Sequence, residues 1–249
     1  MTPDTQLVTL VLVTPVLAYL IGSIPFAYLI VRRVTGTDIS DHGSGNVGAM
    51  NVRRSTGSWS WFTVAMVSDA LKGFVPVVFA KFAVLVLAPS RSSFFGPWST
   101  QFDVITADFA NLQTPLPLLA FLIPMLAVAA SVLGHNYSFW MAVMRRRFAR
   151  TGKGLATGGG ALLAYDWRYF AAALIIGLAM IAITRYMMAG QVAAAITVPA
   201  TALLLQSPDW PFALFVGAVV YIAHHRRFMG LLKGNEPKLY VNDSMGPRG

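Results

Sequence analysis

Glycines, hydroxyls, amides and arginines crowd into one stretch of this chain, Gly43-Ser44-Gly45-Asn46-Val47-Gly48-Ala49-Met50-Asn51-Val52-Arg53-Arg54. Three glycines in six residues let the backbone take positive φ and turn several N–H groups toward one point. Such a concavity suits an anion, above all a phosphate. Ser44, Asn46 and Asn51 add side-chain donors around Gly43 and Gly45, and Arg54 can fork onto two phosphate oxygens. A plain flexible turn between helices is the competing reading. Two asparagines and paired arginines in so short a loop weigh against it. The nucleotide-binding pattern G-x-x-x-x-G-K-[ST] is absent.

A second basic stretch runs from Arg145 to Gly158 and contains Gly152-Lys153-Gly154, with Thr157 one turn later. A glycine-lysine-glycine turn that opens a helix presents free N–H groups and a positive dipole end. Lys153 adds a full charge there, and Thr157 a hydroxyl. An ordinary basic membrane loop explains the four arginines equally well, but not the glycines. Just upstream, Gly134-His135-Asn136 offers a histidine for which a packed, hydrogen-bonded role is the alternative. A third stretch, His224-His225-Arg226-Arg227 through Gly234-Asn235-Glu236, puts His224 where it could orient or deprotonate a hydroxyl. Its plain reading is a basic stop at a membrane surface.

Asp69 and Lys72 form a further pair, inside a long apolar run. Their i, i+3 spacing places them on one helix face. Charges at membrane depth are costly and are either paired or functional, and the sequence leaves both readings open. No HxxxH, HExxH or G-x-S-x-G pattern occurs, and the chain has no cysteine. Disulfides and thiolate chemistry are thereby excluded, and no metal or cofactor is expected. The inventory suits a doubly anionic substrate.

The elements that must position these residues are membrane helices. The charged fraction is 12% and the apolar fraction 56%, with mean hydropathy +0.61. A soluble domain carries about a quarter charged residues. Apolar runs cover about Thr5 to Val34, broken by Gly22-Ser23-Ile24-Pro25, then Trp59 to Leu87 and Leu116 to Val143. Shorter runs follow at Gly154–Tyr165, Tyr169–Thr184, Ala189–Leu205 and Trp210–Ala223. An all-α polytopic protein of about seven transmembrane helices is expected; a five-span arrangement keeps the same polarity for the three basic loops. With the N-terminus outside and the C-terminus cytoplasmic, fifteen of the nineteen lysines and arginines fall inside, as the positive-inside rule requires. The net charge of +9 therefore points to anionic lipid and not to nucleic acid. Residues 1–238 read as one domain and 239–249 as a tail; residues 89–115 read as an outer cap or surface loop.

Together these motifs resemble the PlsY family of bacterial acyltransferases. The likeness runs from about Ala18 to Pro237 and rests on Gly22 to Phe26, Gly43 to Arg54, Asp69 to Gly73, Gly134-His135, Gly152 to Thr157, His224 and Gly234 to Glu236. It implies transfer of an acyl group from acyl phosphate to glycerol 3-phosphate, without metal, at the cytoplasmic face of the inner (plasma) membrane. Ser44, Arg54, Lys153 and His224 would then act in catalysis. Gly43, Gly45, Asn46, Asn51, Gly152, Gly154, Thr157 and Glu236 would bind substrate. The chain departs from the family pattern at Met50, at Ser138 in place of proline, at Thr151 in place of glycine and at Arg227 in place of asparagine. A membrane transporter or binding protein for a phosphorylated metabolite is the competing class. Basic Gly-rich loops and a broken first helix fit it, but no internal repeat is present and the polar motifs gather at one face.

Overall fold

The computed structural model describes residues 3–87 and 116–235. Helices make up most of that chain, with no strand among the described residues. The first apolar run forms α1 (Pro3–Gly22) and α2 (Phe26–Thr35) with a break between them. Pro25 has no N–H to continue the helix, so carbonyls at the break need other donors. They find them in side chains. Trp140 Nε1 donates to the Leu20 carbonyl at 3.0 Å, the Ser138 hydroxyl donates to the Ser23 carbonyl, and Lys72 Nζ donates to the Ile24 carbonyl at 2.8 Å. A broken helix at membrane depth survives only where its backbone is satisfied in this way.

A short 3-10 turn (Ile39–Asp41) and α3 (Ala49–Thr56) follow, then α4 (Trp59–Leu87). The third run divides. α5 (Leu116–Asn136) ends before Ser138, whose hydroxyl accepts the Met141 N–H and starts α6 (Phe139–Arg145). The apolar run to Val143 thus holds two helices, because the cap serine resets the chain direction. The remaining helices are α7 (Leu155–Tyr165), α8 (Trp167–Thr184), α9 (Met187–Leu204) and α10 (Trp210–Leu232). α10 continues through His224–Arg227, so the third basic stretch is helical for most of its length.

Among the described residues, five segments are long and apolar enough to cross a membrane: Thr5–Thr35, Trp59–Val84, Phe121–Arg145, Trp167–Thr184 and Met187–Leu204. Leu155–Tyr165 and Trp210–Ile222 are apolar but shorter. Leu12, Ile175, Ile183, Leu204 and Ile222 are all more than 60% exposed. In water such a surface would aggregate; in lipid it is the solvent-facing side. The buried centre gathers residues of α1, α4, α5, α7 and the start of α8, among them Leu7, Val77, Ile123, Tyr165 and Tyr169.

Helix contacts there are made through glycine. A Cβ on Gly22 would sit 2.2 Å from the Ser131 carbonyl oxygen, and one on Gly134 2.3 Å from that of Tyr19, which brings α1 and α5 backbone to backbone. Gly73 and Gly160 do the same for α4 and α7, at 2.0 Å from the Thr157 oxygen and 1.9 Å from the Ala70 oxygen. Lipid offers no hydrophobic drive between helices, so close van der Waals approach at small residues carries the association. The far end of α7 is closed by polar groups: Lys81 Nζ donates to the Ala164 and Tyr165 carbonyls, and the buried Asp209 accepts from Tyr165, Tyr169 and Ser207 hydroxyls.

Gly160→Ala should therefore force α4 and α7 apart and lower stability by about 1–3 kcal/mol or more. Gly158→Ala meets only a Val132 methyl at 3.6 Å and should leave the thermal midpoint in detergent nearly unchanged. Equal effects of the two would refute this account of the contact.

Candidate anion site on two joined loops

Asn51, in the first turn of α3, organises the glycine loop. Its side chain is buried, and its Nδ2 donates to the carbonyls of Ile39, His42 and Asn46 at 2.9, 2.9 and 3.1 Å. Its Oδ1 accepts the Ser44 N–H at 3.4 Å. The chain can wrap this closely because Gly43 has φ +55 and Gly45 φ +69; a Cβ on Gly43 would fall 2.4 Å from Asn51 Oδ1. Arg54, one turn after Asn51, lays its stem beside Gly43, with Cδ 3.0 Å from that same Cβ position. Asn46 Nδ2 points to the Ser44 hydroxyl at 3.3 Å. Ser44 and Arg54 are exposed, and among the described residues no carboxylate pairs with Arg54. The structure thus brings Gly43, Ser44, Gly45, Asn46, Asn51 and Arg54 into one cluster.

The second loop is built on α5. His135 and Asn136 are buried at its end. The Thr151 hydroxyl donates to the His135 carbonyl and its N–H to the Asn136 carbonyl, both at 2.8 Å. The His135 ring fills the place that a side chain at 152 would take, 2.1 Å from a Cβ there. That is the physical reason for glycine at Gly152. Gly154, at φ +74, caps the start of α7 and turns the chain into it, leaving Lys153 half-buried between the two glycines. Thr157 is wholly buried one turn on, its carbonyl against Gly73.

The two loops are joined directly: the Val47 N–H donates to the Thr151 carbonyl at 2.8 Å. This bond carries the site, since it places Ser44 and Asn46 and, two residues beyond Thr151, Lys153 on adjoining chain. Thr151 and Ser138, two departures from the family pattern, also meet. The Ser138 N–H donates to the Thr151 hydroxyl at 3.4 Å, a bond that neither proline nor glycine in those places could make. The sequence reading missed this pairing; Asn136 and Asp38 were also passed over as supports. Asp38 has a local signal in its Asx turn, with Oδ1 accepting the Ser40 N–H at 2.8 Å. The same carboxylate pairs with Arg145. Burial pushes the Asp38 carboxyl up, but the Ser40 amide and the Arg145 guanidinium outweigh it and hold it below the usual value.

Asp69 and Lys72 form a buried ion pair at 2.8 Å, with His135 Nδ1 3.8 Å from Asp69. Lys72 also holds the Ile24 carbonyl, so the pair serves the helix break. His224 is buried on α10, its Nδ1 on the Val220 carbonyl of its own helix. Arg227 is helical. Glu236 lies outside the described residues. No group of three or more histidines, cysteines or carboxylates suited to a metal occurs among the described residues.

With the loops so arranged, residues 12–234 match the family described as glycerol-3-phosphate acyltransferase. The chain belongs to the glycerol-3-phosphate acyltransferase family. Similar relatives are the glycerol-3-phosphate acyltransferase of Desulforudis audaxviator, 32% identical over 89% of this chain and 92% of that one, and glycerol-3-phosphate acyltransferase 2 of Rhizobium johnstonii, 35% identical over 90% and 93%. Among solved structures, the crystal structure of PlsY (YgiH), an integral membrane glycerol 3-phosphate acyltransferase in its glycerol 3-phosphate form, aligns with TM-score 0.65. It is 25% identical and covers 93% of this chain and 96% of its own. This acyltransferase-family chain is accordingly an all-α polytopic integral membrane protein, and its loop anchor at Asn51 and its Thr151 splice lie inside the matched residues.

Asn51→Asp keeps the shape but removes the Nδ2 donor from three carbonyls. Leaving even one such group unsatisfied costs about 1–3 kcal/mol, so amides 43–47 should exchange hydrogen faster while those of α4 keep their protection. Unchanged exchange would refute the anchor. Because the folded Asp38 carboxyl lies below its unfolded value, its contribution is complete above about pH 4 and is lost as pH falls through the folded value. Stability of the parent should thus fall on acidification by about 0.2–1 kcal/mol more than that of Asp38→Asn, measured as thermal midpoints at pH 7 and pH 3.

Proposed function

We propose that this chain transfers a fatty acyl group from acyl phosphate to the primary hydroxyl of glycerol 3-phosphate, giving lysophosphatidic acid and inorganic phosphate. The observation that carries the reading is the Val47–Thr151 bond, which ties the loop that holds Ser44 and Asn46 to the chain two residues before Lys153. Two phosphate groups must be held and neutralised in this reaction, and that is what these loops offer.

The hydroxyl oxygen attacks the acyl carbonyl carbon, and the bond from that carbon to the phosphate oxygen breaks. Phosphate is a fair leaving group, so no covalent enzyme intermediate is needed. Ser44, Gly45, Asn46 and Arg54 bind phosphate from one loop, with Gly43 and Asn51 shaping it. Lys153, between Gly152 and Gly154, binds from the other, and Thr157 supports that turn. His224 or the departing phosphate takes the hydroxyl proton. Positioning and fixed positive charge are the larger contributions. The acyl chain lies among the helices in lipid. The chain forms one domain of seven spans with its N-terminus outside, and the loops face the cytoplasm from the inner membrane.

Purified protein in lipid, given acyl phosphate and labelled glycerol 3-phosphate with a chelator present, should yield lysophosphatidic acid. Lys153→Ala and Arg54→Ala should each lower turnover by about 10²- to 10³-fold, the loss seen when one oxyanion-stabilising donor is removed. Glycerol 3-phosphate binding without product from the parent would overturn the reading in favour of transport.

A further inference from the structure

Behind the Val47–Thr151 splice lies a cavity of about 140 Å³ to which Arg145, Arg147 and Arg150 contribute, with Ser40, Gly45 and Thr151. That volume is several times the roughly 30 Å³ share of one water. No aspartate or glutamate lines it, and none of Ser44, Arg54 or Lys153 does either. The space thus borders the proposed acyl-transfer site at Gly45 but takes none of that site's charged or hydroxyl side chains. Asp38 pairs with Arg145, and among the described residues no carboxylate pairs with Arg147. Helix α6 ends with Arg146 at φ +50, and this left-handed turn sends Arg147 to the cavity wall.

The flank is apolar. Phe139, Trp140, Val143 and Met144 of α6 are each 40% exposed or more, and Phe148 stacks on Tyr137 at 5.8 Å. Aromatic residues beside arginines mark the membrane–water interface, where phosphates of lipid headgroups lie.

We propose that this arginine-lined cavity is a second phosphate site. It takes the phosphate of an anionic lipid headgroup or a free phosphate, and it braces the splice between the two loops from behind. The proposal goes beyond the acyl-transfer reading and does not rest on it.

Inorganic phosphate is titrated calorimetrically into the full chain in a neutral detergent. The Arg54→Ala/Lys153→Ala double variant should still bind one phosphate, and adding Arg147→Gln should weaken that binding at least tenfold, with Arg147→Lys between. Arg147→Gln alone should remove one phosphate equivalent from the parent, which tests the proposal even if the double variant fails to fold. In nanodiscs, loss of phosphate uptake with phosphatidylglycerol but not phosphatidylcholine assigns the site to a lipid headgroup; uptake in both assigns it to free phosphate. The same phosphate binding with and without Arg147→Gln overturns the proposal. A parent that turns over no substrate yet keeps the Arg147-dependent equivalent leaves it standing.

Discussion

Everything near the two loops hangs on one buried lysine. Lys72 Nζ lies 2.8 Å from Asp69 and 2.8 Å from the Ile24 carbonyl, with both charged side chains under 5% exposed. Removing two charges from water costs several kcal/mol per ion, and their attraction offsets this only when the remaining hydrogen-bonding capacity is met. Here part of that capacity is met by the Ile24 carbonyl at the helix break. The ion pair and the helix break thus stabilise each other: the break supplies an acceptor, and the pair makes the break tolerable at membrane depth. From that break the chain leads through α2 into the glycine loop, while the Ser23 carbonyl beside it holds Ser138 and so fixes α6. Both loops inherit their position from the same four residues.

Local chemistry then narrows what the loops can do. The Asn51 amide fastens the glycine loop, and Thr151 fastens the lysine turn to the end of α5. Each fastening is largely side chain to backbone, which holds the loop's shape while leaving Ser44 and Arg54 toward solvent. Donors fixed before the substrate arrives need not reorganise as charge moves, and this is how such sites gain strength over water. Ser138 and Thr151 show how a departure from the family pattern can be absorbed, since each supplies the partner that the other requires.

Much of this was legible in the chain itself. Apolar runs located the long helices, because hydropathy is a sum over many side chains and tolerates local error, though not where the third run divides or how far α10 continues past Ala223. That Gly43 to Arg54 gather into one tight loop followed from residue type alone. What could not be read was pairing at a distance. Whether Asp69 and Lys72 were structural depended on the Ile24 carbonyl, 48 residues away, and the joining of the loops depended on a backbone bond that carries no side-chain signature. Helices α3 and α6 escaped notice because they are short and are set by Gly48, Gly57 and Ser138 more than by hydrophobic period. His224 could be given a helix but not a neighbour, since a helical address says which face a residue occupies but not what lies opposite.

Helix α7 has 11 residues, which at 1.5 Å per residue is about 16 Å, roughly half of a 30 Å hydrocarbon core. Its far end is nevertheless finished for a dry setting, with Lys81 on its last carbonyls and Asp209 gathering three hydroxyls. Those groups come from α4 and from the turn before α10, so other parts of the chain, and not water, meet the end of a helix too short to cross alone. Neighbouring helices thereby stand in for the length that is missing from the helix that carries Lys153 at its head.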